Sequence, residues 1–194
     1  MRRGVVGAMV LTVGIGCSAT VSDEPSAGAD HGEDHLVPAI EATDPDAPPV
    51  RHRQLRVSLR PPDGDPGGPG PDRRTVTFRV YDPVDQVSRT RGLMGVTDLP
   101  DDAGMLFRFA TPRTGGFWMK NTVLPLSIAY AGSDGVISSI VDMQPCRADP
   151  CPSYPPDAPY RIALEVNRGQ FDVRGVTPGW RIELPDDLPP PPDG

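Results

Sequence analysis

Seven consecutive residues, Gly116-Phe117-Trp118-Met119-Lys120-Asn121-Thr122, hold the chain's single lysine, one of its two tryptophans and one of its two asparagines. The other eighteen basic residues are arginines. Lys120 is therefore either the remainder of a drift toward arginine or a compact, rotatable ammonium that a site requires. Read as a strand, the segment puts Trp118 and Lys120 on one face and Phe117 and Met119 on the other. An indole beside an ammonium gives a pocket floor with an apolar wall and a charged end. Lys120 could also act as a base or Schiff-base nucleophile if desolvated. Asp142 and Glu165 are candidates for an acid/base pair in sugar chemistry, which needs two carboxyl groups at a defined separation.

Cysteine and histidine add constraints. Cys146 and Cys151 flank a five-step loop, and an even pair in an exported chain reads as a disulfide. A redox or metal pair fits less well, because the spacing is not CxxC and no histidine lies nearby. His31-Gly32-Glu33-Asp34-His35 has a metal-like spacing but falls in an acidic segment with no scaffold to fix a geometry. All three histidines (His31, His35, His52) precede the expected domain, which argues against Ser-His-Asp or Cys-His catalysis and against a histidine-ligated metal. No metal site and no cofactor are expected, and no catalytic residue can be assigned.

These residues need an address and a scaffold. Residues 1–16 read as a signal peptide, with Arg2 and Arg3 before the apolar run Val5–Val13. That run is too short to span a bilayer. Gly14-Ile15-Gly16-Cys17 resembles a bacterial lipobox, with Gly14 in place of the usual Leu, so Cys17 is the expected lipidation site; the alternative is an ordinary signal peptide cut nearby with Cys17 incidental. By resemblance to bacterial sorting rules, Ser18 after it favours the outer membrane. The expected partner of that anchor is the membrane, with the domain in the periplasm or at the cell surface.

Residues 17–72 read as an acidic, Pro/Gly-rich disordered tether, and 186–194 as a proline-rich tail, disordered or extended. The net charge of −7 is concentrated in the tether, where Ser18–Asp72 carries eleven acidic residues against four arginines. From Arg73 to Pro185 there are twelve acidic and thirteen basic residues, which makes a nucleic-acid partner unexpected. The domain is placed at 73–185. Leu55–Leu59 alternates and could be a stray strand.

Within the domain, period-two runs dominate. Strands are expected at Val76–Val80, Met105–Phe109, Gly116–Lys120, Leu126–Tyr130, Val136–Met143, Arg161–Val166 and Trp180–Leu184. Short helices are expected over Asp85–Met94 and Asn167–Arg174, ended by Gly95 and Gly175. The class is mainly β: a small β-sandwich or jelly-roll-like fold, or a partly open barrel, with one or two short helices.

Several segments fall in a specific order: Arg91-Gly92-Leu93-Met94, Gly104-Met105-Leu106-Phe107, Phe117 to Thr122, Pro125-Leu126, the Asp134-Gly135 turn, and Leu164-Glu165-Val166 with Gly169. Together they resemble the DUF192 family across about Arg74–Leu184. The resemblance implies a small, mostly β, jelly-roll-like fold, frequently exported, and no assigned activity. The chain departs from the pattern at Val87 and Ser88, where the family usually has acidic residues, and at Ser127, where it usually has Asp.

Arg91 and Lys120 are the cations of these motifs, and converging they would form an anion site. With Trp118, Asn121 and Glu165 they make up the candidate ligand site. The alternative is a structural ion-pair network and loop cap of Arg91, Lys120, Glu165 and Asn121. The expected function is a lipid-anchored envelope protein whose β domain binds a small anionic or polar ligand, including a glycan. A glycan-acting envelope enzyme and a structural or partner-binding module are the alternatives, and whether any reaction is catalysed stays open.

Overall fold

The computed structural model describes residues 51–62 and 75–192. The expected signal peptide at 1–16, Cys17, the His31–His35 motif and the Pro/Gly-rich residues at 63–74 lie outside the described residues. Among the described residues, nine strands and two short helices follow in order: β1 His52–Arg60, β2 Val76–Pro83, α1 Gln86–Arg91, β3 Ala103–Arg113, β4 Phe117–Trp118, β5 Leu126–Ala131, β6 Ile137–Met143, β7 Ser153–Tyr154, β8 Tyr160–Asn167, α2 Gln170–Val173 and β9 Arg181–Glu183.

Seven strands form one sheet in the order β6-β5-β8-β3-β2-β1-β9, and β4 pairs with β7 in a separate ribbon. Among the described strands only β2 and β3 pair in parallel, joined by a crossover that contains α1. The sheet curls into a half-barrel, as a mainly β, partly open barrel should. Its two edges meet at one end. Val136 bridges Arg181, Ile137 donates to the Trp180 carbonyl at 2.8 Å, and Ile182 donates to the Gly135 carbonyl at 2.8 Å. Gly135 is needed there: its φ is +79°, and a Cβ would stand 2.4 Å from the Ile182 carbonyl oxygen.

Strand alternation divides the apolar residues between the sheet's two faces. One face packs Val57, Leu59, Phe78, Leu106 and Leu164 against Phe171, Val176 and Trp180. The other carries Met105, Phe107, Ile128, Tyr130 and Ala163 beneath Leu93, Val96 and Met119. Glu165 falls between Leu164 and Val166, so its side chain belongs to the second face.

β1 corrects the domain boundary. It pairs with β2 over eight positions, from His52 opposite Pro83 to Leu59 opposite Val76, and also takes β9 as a neighbour. Residues 52–60 are therefore part of the sheet, not tether, because Val57 and Leu59 complete the core and are fully buried. The four arginines counted in the tether all lie at 51–60. His52 is buried as well, its ring 6.0 Å from that of Tyr81. The domain thus does contain a histidine, though no potential metal-binding group of His, Cys, Asp and Glu side chains occurs among the described residues.

Two other expectations shift. The strand expected over Gly116–Lys120 is only Phe117–Trp118, because the chain turns at once: Thr122 donates to the Met119 carbonyl and Asn121 has φ +57°. Its partner β7 lies between Pro152 and Pro155, where strand signals are weak. The helices are shorter than expected. α1 is capped by Asp85, which accepts from the Ser88 amide at 2.8 Å, and it stops at Gly92. The tail carries no helix or strand through residue 192, yet it lies on the domain, where Pro189 and Pro192 carbonyls accept from Arg108 and Arg89.

Candidate functional site

The second face opens into a cavity of about 660 Å³ between the α1 end, the Pro112–Gly116 turn and β4. That volume is within the usual range for small-molecule sites. Its walls include Phe107, Phe117 and Tyr160, with Arg89, Arg91 and Arg113 as its cations. The aromatic walls hold one another edge to face. Phe117 stands 4.9 Å from Phe107 and 5.9 Å from Tyr130, and Tyr130 stands 4.8 Å from Tyr160. Such geometry fixes the rings beyond simple burial. The phenols are anchored too: Tyr160 donates to the Gly115 carbonyl at 3.0 Å and Tyr130 to the Tyr154 carbonyl. Burial pushes Tyr160 up to about 12, so it stays a neutral donor.

Glu165 also lines the cavity. β8 puts it opposite Met105 on β3 and Ile128 on β5, so apolar neighbours flank it on both sides. It is 4% exposed, and among the described residues no hydrogen bond or ion pair reaches its carboxyl group. Desolvation alone pushes this carboxyl up to about 8. At neutral pH it is mostly protonated, which makes it a hydrogen-bond donor to whatever occupies the cavity.

The expected site residues separate into two groups. Arg91, Trp118 and Glu165 line the cavity; Lys120 and Asn121 are not among its lining residues. The Arg91 carbonyl accepts from the Met94 amide at 3.1 Å, but its guanidinium makes no hydrogen bond or ion pair to another described residue. Trp118 is 51% exposed at the rim. Lys120 lies 5.5 Å from the Trp118 ring but pairs with Asp149 at 2.7 Å. Asp149 belongs to the loop closed by the Cys146–Cys151 disulfide, so Lys120 holds that loop instead of converging with Arg91. Asn121 shapes the adjoining turn. Its amide donates to the Cys146 carbonyl at 2.9 Å and its carbonyl accepts from Gly95 at 2.9 Å.

Asp142 and Glu165 do not form an acid/base pair. Asp142 is in register with Ser127, and Ser127 with Val166, one step along from the Val141–Ile128–Glu165 row, so the two carboxyls point to opposite faces. Asp142 instead accepts from Ser127 and from Arg168 at 3.2 Å, and the Ser127 hydroxyl accepts from the Gly169 amide at 2.9 Å. Ser127, at the family's usual Asp position, thus ties β5 and β6 to the start of α2.

Arg89, Arg113, Phe107 and Tyr160 line the cavity but are not among the site residues expected from sequence, although Phe107 closes the Gly104–Phe107 motif. The Pro112-Arg113-Thr114-Gly115-Gly116 run is the signal that marks a loop there.

A curled β-sheet domain with an aromatic, arginine-bearing cavity is the class that fold and site define. The DUF192 family model, described as an uncharacterised ACR, matches residues 71–184. The chain belongs to the DUF192 family. Two solved structures are similar. A Sinorhizobium meliloti 1021 protein, described as a candidate transcription regulator, is 32% identical with a TM-score of 0.56, over 68% of this chain and 94% of that one. A Novosphingobium aromaticivorans DSM 12444 protein of unknown function is 26% identical with a TM-score of 0.57, over 78% and 95%. No curated protein matches the chain.

Proposed function

We propose that the protein is a cell-envelope lipoprotein, anchored through Cys17 to the outer membrane, whose β domain binds a small anionic or polar ligand in the cavity beside α1. The observation that carries the binding reading is the pairing of an uncommitted cation, Arg91, with a buried and unpartnered carboxyl, Glu165, in one aromatic-walled space. Arg91 supplies a bidentate fork for a carboxylate, sulfonate or phosphate. Protonated Glu165 supplies a neutral donor deeper in. The rings take an apolar body, and Trp118 offers a platform at the rim. The address rests on the signal-like segment, the lipobox-like end and the disulfide, which suits an oxidising compartment.

Anilinonaphthalene sulfonate, an aromatic anion, is a direct probe. The expected result is saturable one-site fluorescence enhancement, quenched by competing small carboxylates. Arg91→Ala should weaken it roughly tenfold or more, as loss of a charged hydrogen bond does. Equal binding by Arg91→Ala, or no saturable site, would end the cavity reading. Mass spectrometry of the membrane fraction tests the anchor, and an unmodified Cys17 in the mature chain would sink it.

A further inference from the structure

The proline-rich tail meets a pair of arginines that its own chemistry suits. The Pro189 carbonyl accepts from Arg108 Nη1 at 2.7 Å, and the Pro192 carbonyl accepts from Arg89 Nη1 at 2.7 Å. The two acceptors are three residues apart. A polyproline II helix has about three residues per turn, so carbonyls at that spacing fall on one face. Proline has no amide hydrogen, and an all-proline segment can therefore be recognised through its backbone only by donors.

Both donors are held by other contacts. Arg108 is buried, with Nε and Nη2 on the Asp82 carboxylate at 3.0 and 2.7 Å, which leaves Nη1 for the tail. Arg89 projects from α1 over the Phe109 ring, 5.3 Å from its centroid, and also donates to the Gln86 side chain. Two guanidinium donors that meet carbonyls three residues apart form a surface for an extended proline-rich segment, which has little entropy to lose on docking.

We propose that Arg89 and Arg108 form a docking site for a proline-rich extended segment, occupied in cis by the chain's own Pro189–Pro192. A tethered occupant acts at high effective concentration, so a segment from another chain binds only by displacing it. Arg89 also lines the cavity, so the occupant of this site helps place a side chain of the cavity wall.

The test is fluorescence anisotropy of a labelled Leu-Pro-Pro-Pro-Pro-Asp-Gly peptide. It is added to the full chain and to a full-length variant with the four prolines at 189–192 replaced by serine. The serine variant should bind the peptide roughly tenfold or more tightly than the unaltered chain. Arg89→Gln in that background should remove the gain. A second variant, with one glycine inserted between Pro190 and Pro191, leaves every domain residue unchanged and spoils the three-residue spacing. It too should expose the site. Equal affinity for the unaltered and altered chains, or binding to none of them while circular dichroism shows an intact sheet, would overturn the proposal.

Discussion

At the scale of single residues, the chemistry moves from Lys120 to Glu165 and Arg91. Raising the Glu165 carboxyl to about 8 means that the folded state holds a proton the unfolded chain releases near 4.5. Stability from this group is therefore fully present below about 4.5 and is lost as pH rises through about 8. The slope is at most about 1.4 kcal/mol per pH unit in that window. Glu165→Gln should flatten the profile, measured as denaturant midpoints from pH 4 to 9, and be the more stable protein at the alkaline end. Anion affinity should fall above pH about 8 in the parent and hold level in Glu165→Gln, because the ionised carboxylate repels the ligand.

Lys120→Ala should leave anion affinity unchanged and alter stability by only about 0.5 kcal/mol, since its partner is an exposed Asp149. The residue types of the cavity were visible in the sequence, including Arg91, Trp118 and Glu165. Their division was not. Spacing shows that Trp118 and Lys120 share a side, which they do, but not that the chain turns after Trp118 and delivers the ammonium to the disulfide loop. Nor does spacing show that Glu165 lacks a counter-ion.

At the scale of elements, β1 and the disulfide loop carry the most information. A chain starting at residue 73 loses the strand that pairs with β2 along its length and supplies Val57 and Leu59. It should show no cooperative thermal transition by calorimetry, whereas a chain starting at residue 48 should unfold cooperatively. Replacing Cys146 and Cys151 together by serine should cost about 2 kcal/mol, the loop-closure value for so short a ring, read as a shift in urea midpoint.

The strands β2, β3, β5, β6, β8 and β9 could be read from alternation because each packs at least one apolar face. β1 was partly legible, as the alternation of Leu55, Val57 and Leu59, but its acidic, proline-rich surroundings hid its membership in the sheet. The parallel β2–β3 pairing was not legible at all, since it depends on the path of the α1 crossover.

At the scale of the whole molecule, the half-barrel and the DUF192 motifs agree. The Gly-Met-Leu-Phe run enters β3, the Leu-Glu-Val run forms β8, and the Asp134–Gly135 turn stands where the two edges of the sheet meet. Gly135→Val should cost at least about 1–3 kcal/mol from φ alone, and more from the collision with Ile182, seen as a lower unfolding midpoint. That seam has a consequence for how the protein behaves in a crowd. The open ends of a β-sheet are templates on which a neighbouring chain can add itself, hydrogen bond by hydrogen bond. By lending the start of β6 to β9, the fold gives these two margins each other as partners. A protein weakened at Gly135 should therefore seed oligomers under conditions where the parent stays dispersed.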